Sequence, residues 1–139
     1  MCDYCDCRTR PLLVQLGVDR ERIGLVARHL RSAADAGDRK DRARELRALL
    51  DSHSRTEEAA LYPELARVGL PTDALEAEHA AVDAALAAAV ADVATGWTQV
   101  TVALEGLEVH IHREEYDLFP AAHQLLDDAA WDRIDAAAG

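Results

Sequence analysis

Aromatic residues make up only 4% of this 139-residue chain. Alanine and leucine dominate its hydrophobic half, a composition that favours helices over the β-branched and aromatic strands of a sheet protein. Positive charge is also scarce. Fifteen Lys and Arg stand against 26 Asp and Glu, a formal net charge of -11 with no basic block. That balance argues against nucleic acid and anionic membrane as partners and suits solubility, cation binding or a basic partner. No apolar run reaches the roughly 18 residues of a membrane span. The stretch Met1-Cys2-Asp3-Tyr4-Cys5-Asp6-Cys7 has no apolar signal core, so a reducing, cytoplasmic location is expected. Cys2, Cys5 and Cys7 are the only cysteines, and three cannot form a complete intramolecular disulfide framework. The length suits one domain with one core.

What the chain does have is a repeated motif. Residues 53–63 and 110–120 both read H-x-x-x-E-E-x-x-L-aromatic-P. On a helix, positions i and i+4 share a face, so His53 with Glu57, and His110 with Glu114, each aim an imidazole and a carboxylate at one point. Imidazole suits iron or zinc, and carboxylate suits harder ions. One such pair is common on protein surfaces; two copies with four further matched positions point to a metal site.

Along the chain, Cys2, Cys5 and Cys7 form a head over residues 1–10. It could be a soft-metal or redox thiol site or simply ordinary thiols, since a structural zinc needs a fourth ligand and none is obvious. The bundle is expected over 11–139. Helix A should open at Pro11 and run to Ala36, with Gly37 ending it. Its inward stripe reads Leu16, Arg20, Ile23, Ala27, Leu30, Ala34, so Arg20 interrupts an apolar seam, either as a snorkelling arginine near the bundle end or in a special role. Helix B should start at Asp38 and carry Ala43, Leu46, Leu49 and Leu50 into His53 and Glu57, until Pro63 kinks or ends it. After a central loop over 68–72, with Thr72 or Asp73 as cap, helix C carries Leu75, His79, Val82, Leu86, Ala89 and Val93. His79 is the polar member of that stripe and a candidate ligand; Asp83, four residues on, is either a helper or a solvated flank. Thr95-Gly96 should break the chain. Helix D, from near Trp97, places Val100, Ala103, Leu107, His110, Glu114 and Asp117 on one face. A short helix around Trp131 and Ile134 closes the chain, with Trp97 and Trp131 as packing residues. His29, His112 and His123 fall out of phase and read as surface positions. Four stripes with short breaks predict an all-α, up-down-up-down four-helix bundle with a short C-terminal helix.

The two halves also align with each other. Asp19-Arg20 precedes His53 by nearly the span that separates Glu78-His79 from His110. The repeat therefore puts Arg20 in a ligand slot where it cannot ligate, because it stays protonated.

From about Leu12 to Pro120 the chain resembles the hemerythrin-like (HHE cation-binding) family. The resemblance rests on His53-x-x-x-Glu57, Glu78-His79 and His110-x-x-x-Glu114, and the cysteine head looks like that of some bacterial members. It implies the up-down-up-down bundle and a non-haem iron centre of one or two ions, usually di-iron, although another divalent metal would also fit. It implies O₂, peroxide or NO as the small-molecule partner. His53, His79 and His110 would be ligands, and Glu57 and Glu114 bridging carboxylates. The chain departs from the family at Arg20, in place of a helix-A histidine, and at Asp83, in place of a second helix-C histidine; Glu58 or Glu115 would have to compensate. An oxygen carrier is thus disfavoured. Three readings follow: a non-haem iron oxidoreductase working at an incomplete, open site; a non-catalytic iron or redox sensor; or a metal-free interaction bundle. The sequence carries no signal for oligomeric state.

Overall fold

A computed structural model describes residues 10–138. Among them there is no strand, and no helix is long and apolar enough to cross a membrane. The cysteine head at Cys2, Cys5 and Cys7 lies outside the described residues.

Helix α1 (Pro11–Arg31) opens with proline in its first turn, where a missing N–H costs nothing. It ends earlier than expected. The chain turns at Ser32, and α2 (Ala36–Thr56) begins just past Asp35, whose carboxylate accepts the Asp38 N–H at 2.8 Å. Asp35 is thus the N-cap of α2, and Gly37 lies inside its first turn and not at the end of α1. The reading of Gly37 as a stop is corrected by this cap.

Pro63 does not end the second helix. After α2 comes one π turn, Glu57–Leu61, and then α3 (Tyr62–Arg67) continues. The Tyr62 N–H donates to the Glu57 carbonyl, five residues back. The second copy of the motif behaves alike. Helix α5 (Val93–Arg113) enters a π turn at Glu114–Leu118, Phe119 N–H donates to the Glu114 carbonyl, and α6 (Phe119–Leu125) follows. Proline has no N–H for the helical ladder, and the ladder changes register just ahead of it. The L-aromatic-P end of each motif therefore marks a π turn that starts on the motif glutamate. One consequence corrects the face assigned to Asp117, which the register shift leaves exposed.

Gly69, with φ +87°, takes the left-handed position after α3, and Leu70 N–H closes onto the Leu65 carbonyl at 3.0 Å. Helix α4 (Asp73–Ala91) follows from the Thr72 N-cap position. The next break falls at Asp92 and not at Thr95-Gly96. Gly96 sits within α5 because a Cβ there would lie 2.8 Å from Ala89 Cα; it permits a close crossing of α4 and α5. Helix α7 (Asp128–Ala138) is capped by Asp127, which accepts Ala130 N–H at 2.8 Å.

The helices form an up-down-up-down bundle. α1 packs along α2, α2 along α4, and α4 along α5, while α1 and α5 meet over a shorter stretch. The core is split in two. One apolar cluster gathers Leu12, Leu16, Leu61, Leu65, Leu75 and Phe119, sealed by Trp131 and Ile134 of α7. The other gathers Ile23, Val26, Leu30, Leu46, Leu86 and Leu104. Val26 and Leu104 join the predicted stripes, whereas Ala34 lies outside them and exposed. Along each of the four long helices, the residues between the two clusters are polar: Arg20, His53 and Glu57, His79, and His110 and Glu114.

Candidate metal centre

That polar layer is buried. Glu57 and Glu114 are 0% exposed, and His53 and His110 are each 4% exposed. One ligand atom each of Glu57, His79, His110 and Glu114 lies within 4.8 Å of the others. Two ligands on opposite sides of a transition-metal ion lie about 4 Å apart, so a small inward movement closes this set on an ion. His79 Nε2 and His110 Nε2 face each other at 3.1 Å, and His110 Nε2 is 3.0 Å from Glu114 Oε1. His53 Nε2 approaches the same carboxylates from the other side, 2.7 Å from Glu57 Oε1 and 3.9 Å from Glu114 Oε2. The short His53–Glu57 contact lies outside hydrogen-bond geometry. Glu57 Oε1 and Glu114 Oε2 are accordingly buried without a hydrogen-bond partner. Buried acceptors of that kind are costly, and two carboxylates facing imidazole nitrogens are the donor set of a divalent transition metal. The residues fit such an ion.

The imidazoles are held from behind. His79 Nδ1 contacts Glu58 Oε1 at 3.0 Å, and His110 Nδ1 contacts Glu78 Oε2 at 2.6 Å, with Glu78 also accepting from Arg113 at 2.9 Å. A carboxylate on Nδ1 fixes the ring so that Nε2 points at a metal. His53 Nδ1 lies 3.5 Å from Asp19 Oδ2, a looser version of the same arrangement. Tyr62 Oη lies 3.0 Å from both Glu57 Oε2 and Glu114 Oε1. Sequence reading missed Tyr62, Glu58 as a backing group, Glu78 and Asp19 in these roles. The available signal was the Tyr/Phe difference between the two motif copies, together with the Glu78-His79 and Asp19-Arg20 pairs.

Protons follow from the crowding. Burial, then the nearby Glu114, raises Glu57 to about 8. Burial pushes Glu114 up as well, but the neighbouring Glu57, His110 and His53 outweigh it and hold that carboxylate well below its ordinary range. Burial works against a charged His53, yet contacts with Glu114 and Glu57 raise it to about 10. Burial lowers His79, against the Glu58 contact. Burial and both carboxylates push Tyr62 far up, so it keeps its proton. A protonated Glu57 can then donate to Tyr62 Oη, and Tyr62 to Glu114.

Arg20 is no solvated bundle-end arginine. It is 6% exposed, and its guanidinium lies 4.4 Å over the Phe119 ring. In the other half, His79 stacks on Tyr62 at 5.8 Å. Arg20 with Phe119 therefore mirrors His79 with Tyr62, as Asp19 with His53 mirrors Glu78 with His110. Burial lowers the Arg20 pKa, while Glu114 and Glu57 oppose that shift. Asp83 turns away and pairs with Arg47 at 2.8 Å on the surface. Glu115 lines the groove between α1 and α5 beside Arg20. His29 and His112 are exposed as expected, and His123 is half-buried. Arg39 lies 4.0 Å over half-buried Trp97, and Trp131 is in the core.

The fold and the layer together define a helical bundle built around a carboxylate- and histidine-lined cation site. In a comparison with known families, residues 20–122 match the Hemerythrin HHE cation binding domain. The chain belongs to that family. No curated protein matches the chain, and no solved structure does.

Proposed function

We propose that the protein binds non-haem iron at this layer and uses an open coordination position there for O₂, peroxide or NO chemistry. The observation that carries the reading is the convergence of Glu57, His79, His110 and Glu114 within 4.8 Å, with carboxylate oxygens buried and unpartnered beside them. In this reading His79 and His110 hold one ion together with Glu57 and Glu114, and His53 serves the opposite face. Arg20, on the face where the second half offers His79, leaves that side one protein ligand short. Iron with His and carboxylate ligands and an open position supplies activation of O₂ or peroxide.

The chain's own residues set the rest. Glu58 and Glu78 hold His79 and His110 in orientation. Tyr62 spans the two carboxylates and carries a proton between them. The leucine clusters on both sides exclude water.

The test is iron content and visible absorption of protein produced with iron, followed by exposure to peroxide, O₂ and NO. The His53→Ala/His110→Ala variant should stay helical by circular dichroism and lose its iron. Unchanged iron in that variant rejects the ligand set. Iron retention with no spectral response to any of the three small molecules leaves an iron-binding module and rejects the chemistry.

A further inference from the structure

The two π turns are not supported alike. A π turn is rare and mostly seen at functional sites, as expected of a shape that needs its neighbours to hold it. The second, Glu114–Leu118, packs mainly on α5 and α6, the helices it joins. The first, Glu57–Leu61, packs also on α7, which comes from the far end of the chain. At 11 residues, α7 is too short to stay helical alone in water, so its form depends on docking. Trp131 and Ile134 are 1% and 0% exposed and share a cluster with Leu61 and Tyr62. From the same helix, Arg133 Nη2 donates to Glu64 Oε1 at 2.6 Å, and Nε donates to it at 3.1 Å. Glu64 is buried and follows Pro63 in α3; Arg67 reaches its carboxylate only at 3.8 Å. Without Arg133, a buried carboxylate loses its hydrogen bonds, which is costly. Nothing in the metal reading uses this pair or α7.

We propose that α7 is a positioning element for the metal layer: clamped by Arg133 on Glu64, it holds the first π turn, and with it Glu57 and the Tyr62 hydroxyl, in register, and an ion in the layer holds α7 down in return. The link is short. The Glu57 carbonyl accepts the Tyr62 N–H across the turn, and the Tyr62 hydroxyl lies 3.0 Å from both Glu57 Oε2 and Glu114 Oε1. A turn that loosens therefore displaces the group that both carboxylates share. Coupling between the ion and α7 must be equal in both directions. That half rests on the metal reading; the grip of α7 on the turn does not.

The experiment follows backbone amide exchange by ¹⁵N NMR on the metal-free full chain. In Arg133→Gln, the Tyr62 amide should exchange at least about tenfold faster than in the native chain, and the Phe119 amide, its counterpart in the second π turn, less than about twofold faster. Arg133→Lys keeps the charge without the fork and should restore part of the protection. Gly96→Ala, which crowds Ala89 in the other apolar cluster, should change the two amides alike. Equal acceleration of both amides in Arg133→Gln, or none at Tyr62, overturns the proposal. Zinc then tests the coupling. Chelator competition should show about tenfold weaker zinc binding in Arg133→Gln and native affinity in Gly96→Ala, and zinc should slow exchange of the Trp131 amide in the native chain. Zinc binding weakened equally in both variants, or unchanged in Arg133→Gln, overturns the coupling. A native chain that takes up no zinc overturns the metal reading and the coupling with it, while the amide comparison still decides whether α7 holds the turn.

Discussion

Replacing Tyr62 by phenylalanine removes one oxygen from the centre of the bundle and nothing else. The ring is 1% exposed and packs in the apolar cluster below the metal layer, so the variant leaves no large cavity. What disappears is the hydroxyl that lies 3.0 Å from Glu57 Oε2 and 3.0 Å from Glu114 Oε1. A hydrogen bond to a charged group contributes about 1.5–3 kcal/mol, and its loss leaves a buried acceptor unsatisfied. The metal-free variant should therefore be less stable by about 2 kcal/mol. For a domain of this size each kcal/mol moves the melting temperature by about 2–4 °C, so the expected drop is about 4–8 °C. Thermal unfolding followed by circular dichroism at neutral pH reads it directly. Because Tyr62 also orients both carboxylates, competition with a chelator should show metal affinity about 10–100-fold weaker, as for other groups that position metal ligands. A melting temperature within about 1 °C of the native value, with unchanged metal affinity, would refute the account of Tyr62 as the link between the two carboxylates.

Arg20→His should raise metal stoichiometry or affinity and alter the visible spectrum of the iron-loaded protein. At about 6 Å and an effective dielectric near 20, two unit charges repel by roughly 3 kcal/mol, which is on the order of 100-fold in affinity; a variant that binds metal like the native chain would mean that Arg20 fills no ligand slot. The metal-free protein should lose stability as pH rises. His53 at about 10 and Glu57 at about 8 both sit above their unfolded values, so the native state binds more protons and its advantage fades through those two pKa values. Urea midpoints at pH 6 and pH 9 check the sign, and metal loading, which must displace those protons, should reverse it. Gly96→Ala should destabilise the protein by about 1–3 kcal/mol through overpacking, because its Cβ meets the Ala89 backbone at 2.8 Å. Gly106→Ala, with nothing within 4 Å, should instead stabilise the same helix by up to about 1 kcal/mol. Paired melts that fail to differ in sign would contradict the close crossing of α4 and α5.

The convergence of Glu57, His79, His110 and Glu114 was legible because its information is local and stated twice. An i, i+4 pair of His and Glu declares its face within one turn, and the second copy supplies the alignment that brings Asp19-Arg20 opposite Glu78-His79. The four stripes were legible for the same reason. The rest depended on things that periodicity averages away. A π turn inserts one residue without changing composition, so Asp117 kept its apparent phase while its real position moved to the surface. Gly37 and Gly96 read as breaks because glycine disfavours helix; Asp35, two residues before Gly37, did the capping, and the neighbouring backbone at Ala89 set the requirement at Gly96. Tyr62 and Glu58 act across helices, and no spacing within one helix announces a contact with another. Arg20 was placed by the repeat, but only its burial separated it from an ordinary arginine reaching solvent.

The mirrored pairs, Arg20 on Phe119 and His79 on Tyr62, give the layer a polarity that a perfect duplication would lack. A metal ion is on loan from its surroundings and can be withdrawn by a chelator or by scarcity. A guanidinium belongs to the covalent chain. The α1 side of the layer therefore keeps its positive charge when metal supply fails, and Glu57 and Glu114 are never left facing each other without a cation nearby. Were a metal held on the His79–His110 side, its loss would change the charge of that side and leave the Arg20 side as it was.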